Sequence, residues 1–240
     1  MKGDELERKK QQAYLGVELT SNLQWTPQVN KVIKKANNTL NVLRRNLGNS
    51  PKEVKILAYK SLVRPTLEYA GAVWDPYHKK DIEAIESVQR KAARFVSNDY
   101  RRDSSVTAMI KDLNWNLLQE RRFVTRMTLL FKSFNNQIAI PVPHYANIAT
   151  RSVRGQHQYS LYNIRANTDQ YKYSYFPRTI RCWNLLPYNL FYCNNADSFQ
   201  NHLWHHINQG LITIRWPKDL FDRPQLGGSA INSGAALNVY

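Results

Sequence analysis

The sequence predicts a mainly α-helical protein built around one core, and three observations predict it. Between Thr26 and Leu47, Val29, Val32, Ile33, Ala36, Leu40, Leu43 and Leu47 fall within one arc of ~100° at helical spacing. Ile82, Ile85, Val88, Ala92, Phe95 and Val96 share a second such arc, of ~140°. Strand-like runs are scarce: Ala13–Leu19 is the clearest, and a short hairpin is expected within the irregular residues 144–176.

Taken in order, residues 1–12 are charged and are expected to be flexible. In Ala13–Leu19, Gly16 signals a bulge or the close approach of another backbone. Thr26 is read as an N-cap with Pro27 at the first helical position, and Gly48 as the stop. The face opposite the apolar arc carries Lys31, Lys34, Lys35, Asn38 and Arg45, with no acid in the segment. Such a stripe can follow a row of phosphates or can simply be solvated.

Ser50, Pro51 and Glu53 form a capping-box pattern, and Val54, Leu57, Ala58 and Leu62 are expected to be the buried edge of the next helix. Pro65 interrupts it, and Leu67–Trp74 is apolar enough to be buried on all sides. Asp81 is the expected cap of Ile82–Val96, where Glu86 and Arg90 stand at i,i+4 on the polar face. Ser104-Ser105 opens a short helix with Met109 and Ile110 inward, and Leu117–Phe134 is a long one. Pro141 and Pro143 break structure, and residues 144–176 are expected to be irregular. Phe176–Pro187 returns to helix, and Asp197-Ser198 caps the last one, with Phe199, Leu203 and Ile207 inward.

The chain has 240 residues and a formal net charge of +16. Residues 1–100 hold 18 basic against 11 acidic side chains, 101–135 hold 7 against 3, and 136–215 hold 7 against 2. An excess spread in this way through the body of the chain favours a polyanionic partner, first of all nucleic acid. No run approaches the ~20 apolar residues of a membrane span, and MKGDELERKKQQ is not a signal peptide. With two cysteines, the chain is expected to be intracellular, in nucleus or cytoplasm.

Several stretches, in order, resemble the C-terminal part of reverse transcriptases from jockey-type non-LTR retrotransposons (LINE elements). They are Tyr14-Leu15-Gly16-Val17, Leu23 with Trp25, Leu43–Leu47, Tyr59–Ala70, Val73–Pro76, Ile85–Phe95, Leu113 with Trp115, Leu118, Arg121 and Arg122, and Phe176-Pro177-Arg178-Thr179-Ile180 with Trp183, Asn184, Leu186 and Pro187. The resemblance implies a thumb-like helical bundle over residues 26–135. A short β remnant of the palm would precede it at 13–25, with Tyr14, Leu15 and Gly16 resembling a primer-grip hairpin. A C-terminal helical extension would follow at 136–209, then a mostly disordered tail at 210–240. The basic helix would lie along RNA, DNA or an RNA–DNA hybrid, and the remaining reverse transcriptase domains would be a possible partner.

The family's RNA-directed DNA polymerase chemistry needs paired aspartates that hold two metal ions. This chain contains no Asp-Asp dipeptide. It is therefore expected to lack catalytic residues and to need no cofactor, Mg²⁺ belonging to the absent palm. The expected role is non-catalytic nucleic-acid binding. The alternative is an inert transposon relic or a protein-interaction module.

Other constellations are weaker. Cys182, Cys193, His202, His205 and His206 do not have the spacing of a structural zinc site. Trp25, Trp74, Trp115 and Trp183 sit at helix junctions, where core packing is the expected role. Tyr159, Tyr162, Tyr171, Tyr173 and Tyr175, interleaved with Arg151, Arg154, Arg165 and Lys172, suit single-stranded nucleic acid as well as a loose surface. Arg121 and Arg122 open a helix, where the dipole disfavours cations, which points to a phosphate contact or to pairing with Glu120.

Overall fold

The computed structural model describes residues 8–149, 157–214 and 237–239. Over these the protein is mainly helical. It divides into two compact units, one of Met1–Pro76 with Lys80–Trp115 and one of Tyr77–Lys79 with Asn116–Tyr240. Two units thus replace the single core read from the sequence. The break falls after Trp115 and not at residue 135, because the long helix starting at Leu118 packs against elements that follow it in the chain.

The first unit opens on a hairpin. Strands β1 (Gln11–Tyr14) and β2 (Val17–Thr20) are antiparallel with Tyr14 opposite Val17. Leu15 and Gly16 turn the chain with φ of 46° and 82°. Two successive positive φ values define the tight turn that matches strand twist, which is why glycine is needed at 16. The expected single strand is therefore folded on itself. What approaches Gly16 is a ring and not a backbone: the Tyr69 hydroxyl donates to the Leu15 carbonyl at 3.0 Å.

Helix α1 (Thr26–Asn46) buries Val29, Val32, Ala36, Leu40 and Leu43, as its periodicity predicts. Its ends differ from the expectation. Trp25 occupies the cap position, and the Thr26 hydroxyl donates to Asp81 Oδ2 at 2.9 Å. Asp81 in turn is a buried first-turn residue of α5 (Lys79–Ser97), not its cap. Leu47 is the C-cap of α1, and at Gly48 just beyond it a Cβ would stand 3.1 Å from the Arg44 carbonyl oxygen.

The next helix faces the opposite way from the expected one. Helix α2 (Lys52–Ala58) runs through a π-helical turn (Tyr59–Val63) into α3 (Arg64–Glu68), with Pro51 at the cap position and no side-chain cap bond. The buried line is Lys55, Tyr59, Val63 and Leu67, whereas Val54, Leu57 and Leu62 are exposed. Tyr59 decides this. It stacks on Trp115 with ring centroids 4.4 Å apart, and its hydroxyl donates to Gln89 Oε1 at 3.0 Å. Leu57→Ser should therefore leave stability within about 0.5 kcal/mol. Leu67→Ala should cost about 2–5 kcal/mol in urea denaturation, because Leu67 is wholly buried.

Ala70 takes a left-handed conformation (φ 53°) and splits the expected Leu67–Trp74 helix, leaving α4 (Gly71–Trp74) with Trp74 buried and Val73 exposed. Helix α5 buries Ile82, Ile85, Val88, Ala92, Phe95 and Val96 as predicted. Glu86, placed on the polar face by sequence, is buried too, and Arg90 reaches the Glu83 carbonyl at 3.2 Å. Helix α6 (Val106–Asp112) is capped by Ser105.

In the second unit, α7 (Leu118–Phe134) packs against α9 (Tyr175–Asn184) and α10 (Ala196–Asn208). Their core holds Phe123, Met127, Phe131, Trp183, Phe199 and Leu203. Asn195 caps α10, one position group earlier than the expected Asp197-Ser198. A short helix α8 (Asp169–Lys172) precedes α9. The irregular stretch is pinned to α9. Asn184 Nδ2 donates to the Leu161 carbonyl at 2.7 Å, and Leu161 N–H returns a bond to Asn184 Oδ1 at 2.9 Å. Trp183 Nε1 donates to the Tyr159 carbonyl at 2.8 Å. The expected hairpin is reduced to one antiparallel bridge, Ile148 with Leu161. Short strands β3 (Ile212–Ile214) and β4 (Leu237–Val239) pair in parallel inside the segment expected as a disordered tail. Residues 215–236 of that tail, residues 1–7, and Arg151 and Arg154 lie outside the described residues.

His157 lies buried with Nε2 2.9 Å from the Trp183 carbonyl, and burial pulls its pKa below the ordinary 6.5. The folded protein keeps this imidazole neutral where the unfolded chain would protonate it. Stability should therefore hold above neutral pH and fall as pH drops below about 6.5. His157→Asn should flatten that fall in urea midpoints compared across pH.

Candidate nucleic-acid interface

The cationic face of α1 is where the sequence puts it. Lys31, Lys34, Lys35, Asn38 and Arg45 are all exposed. The helix segment has no acid of its own, but the fold brings one: Glu18 of β2 accepts from Lys31 Nζ at 3.0 Å. That hydrogen bond holds the Glu18 carboxyl below its ordinary pKa. Lys31 is thus partly neutralised. Among the described residues no carboxylate pairs with Lys34, Lys35 or Arg45.

Two neighbours extend the face. Lys91 of α5 is exposed and donates to Asn37 Oδ1 at 3.4 Å, which adds a cation beside α1. Lys91 belongs to the helix read at Ile82–Val96, but no spacing along that helix brings it to α1. Arg44 lies over the Tyr100 ring, 5.1 Å from its centroid. Arg94 is not part of this face. It donates to the carbonyls of Arg101, Asp99 and Ser104, at 2.8, 3.3 and 3.4 Å, and so closes the loop after α5.

The second unit does not supply the cations predicted for it. Arg122 is 2% exposed, and so cannot meet a phosphate at the surface. The reason is that α7 is buried on nearly all sides, with Leu118, Arg122 and Arg126 following one another at i,i+4 along one buried line. Arg121 is half-buried, and Glu120 accepts from the Leu117 N–H at 2.9 Å, closing the helix start. Of the tyrosine-rich stretch, Tyr173 is buried and stacked on Tyr77 at 4.2 Å, while Tyr162, Tyr171 and Arg165 are exposed. Trp74, Trp115 and Trp183 are buried core residues, as expected of their positions, and Trp25 is half-buried.

The hairpin tip exposes Tyr14 and Leu15, and with Gly16 it stands clear of the core. Cys182 is buried, and Cys193 Sγ lies 3.2 Å from His202 Nδ1, with burial pushing the thiol pKa up. Among the described residues no group of three or more His, Cys, Asp and Glu side chains could hold a metal ion. No helix there is long and apolar enough to cross a membrane.

No family model, no curated protein and no solved structure matches this chain.

Proposed function

We propose that the chain binds nucleic acid without catalysing a reaction, as the thumb-like part of a retrotransposon reverse transcriptase. The observation that carries this reading is the row Lys34, Lys35 and Arg45, exposed on one helix face with no carboxylate paired to it among the described residues. Unbalanced cations in line are suited to a phosphate backbone, which they bind without reading its sequence. The mainly helical first unit, the two-residue hairpin at Leu15-Gly16 and the ordered motifs shared with the jockey-type enzymes support the thumb and primer-grip assignment. RNA, DNA or their hybrid would lie on α1, and the remaining reverse transcriptase domains would be the protein partner. No residue is assigned polymerase chemistry, since the sequence has no Asp-Asp dipeptide.

A gel shift titrated with salt tests this. Binding that weakens steeply with salt, and is lost when the α1 cations are reversed, is the expected result. Equal binding by the reversed variant would reduce the stripe to a solvated face.

A second reading has its own observation. Leu57 and Leu62 are 66% and 54% exposed on the outer side of α2 and the π turn, and Val54 is exposed beside them. Apolar side chains grouped in this way mark a surface that associates with protein. Concentration-dependent self-association relieved by Leu57→Ser with Leu62→Ser, without any salt-sensitive nucleic-acid binding, would favour it.

A further inference from the structure

We propose that the cleft at the C-terminal end of α1 binds a phosphate group, with Lys55 as its buried counter-charge. The cleft has a volume of about 730 Å³. Gly48, Asn49 and Ser50 form one wall, Lys52 and Lys55 of α2 another, and Ser97–Asp99 at the end of α5 the third.

Lys55 is 4% exposed, the most enclosed lysine among the described residues. It is drawn inward because it begins the buried line that continues through Tyr59, Val63 and Leu67. Among the described residues its ammonium lies over the Phe95 ring, 5.3 Å from the centroid, and makes no hydrogen bond or ion pair. The stem of Lys55 is buried while its ammonium keeps an accessible face on the cleft, and a single ring face compensates little of its charge. The α2 wall of the cleft thus carries a positive charge with no ion pair among the described residues.

Two acids, Asp99 and Asp112, line the cleft as well, and neither is paired with Lys55. Asp99 is already committed: Arg101 donates to it at 3.1 Å and Ser104 at 2.7 Å, which together hold its carboxyl well below the usual range. Asp112 is exposed and makes no ion pair among the described residues. The same cleft is lined by residues that carry donors an oxyanion uses: the Lys52 ammonium, the Ser50 hydroxyl and the Asn49 amide. A tetrahedral phosphate, with several acceptor oxygens and up to two charges, fits these donors better than a flat carboxylate with two.

The phosphate can come from a nucleic-acid strand or from a free phosphate compound. The first source rests on the proposed nucleic-acid role. Lys31 to Arg45 spans about 21 Å of helix axis, and Gly48 at the cleft wall is three residues beyond Arg45. A strand end that follows α1 would reach the cleft.

The test uses the full chain and three measurements. Inorganic phosphate should raise Tm above that in chloride of equal ionic strength, and Lys55→Met should abolish the rise. A single-stranded oligonucleotide with a 5′-phosphate should bind about tenfold tighter than its 5′-hydroxyl twin (about 1.4 kcal/mol) if a strand end is the source, and Lys55→Met should remove only that increment. Equal binding of the two oligonucleotides with the Tm rise intact assigns the cleft to a free phosphate compound. The variant with Lys34, Lys35 and Arg45 reversed should keep the response to inorganic phosphate, so failure of the α1 reading and failure of this one are separable. If Lys55→Met does not fold, the ¹⁵Nζ resonance of Lys55 in the unaltered chain decides, because it must shift on phosphate titration. No phosphate-specific Tm rise, or an unmoved Lys55 resonance, overturns the proposal.

Discussion

Reversing Lys34, Lys35 and Arg45 to glutamate should abolish salt-sensitive binding of duplex or hybrid by this protein. Each phosphate neutralised contributes about 0.9 to the slope of log affinity against log salt for duplex DNA. If Lys91 joins the three, four cations would contact the backbone, and affinity should fall about 150-fold between 50 and 200 mM salt. The triple reversal should leave almost no slope. Lys31→Glu alone should do less to binding than reversal of any other member of the row, because Lys31 is already paired with Glu18 at 3.0 Å. Exposed pairs of this kind contribute at most about 1 kcal/mol, so stability should hardly change. Filter binding at several salt concentrations reads both effects. A slope that survives the triple reversal removes α1 from the interface.

Trp183→Ala should be the most destabilising single substitution in the second unit, by about 3–5 kcal/mol. Trp183 is 1% exposed and meets Phe191 edge-on with ring centroids 4.8 Å apart. Its indole N–H satisfies the Tyr159 carbonyl at 2.8 Å. Truncation would leave a cavity in the core and a carbonyl without its donor, and the two costs add. At about 2–4 °C per kcal/mol, Tm should fall by roughly 6–20 °C. Trp183→Phe, which keeps most of the volume but not the donor, should cost distinctly less. Near-UV circular dichroism against urea checks both, and a Trp183→Ala loss below 1 kcal/mol would show that this core can collapse around the gap.

These two sites also mark what could be read from residues alone. Trp183 belongs to the run Phe176–Pro187, whose helix was legible, but its partner Tyr159 stands in a stretch without periodicity. The pinning of that stretch by Asn184 could not be read, because a side-chain amide that imitates a strand leaves no pattern in sequence. The exposed cationic row on α1 was legible, since a long helix with two clean faces needs no partner to define which side is wet. Arg122 was misplaced for the converse reason. A helix buried on nearly all sides has no wet face to which an arginine can be assigned.

By itself the sequence determined the helical class, the inward faces of α1, α5 and α10, and the cationic row on α1. Each of these follows from the spacing of side chains along one element. Only the tertiary structure decided which face of α2 is buried, because Trp115, 56 residues beyond Tyr59, stacks on it and turns Lys55 inward while Leu57 and Leu62 turn out. It alone decided that Glu18 tempers Lys31 and that Lys91 joins α1. Local periodicity sets the faces an element has to offer. Which face is taken depends on the aromatic rings, buried hydrogen bonds and charges that distant segments bring to it.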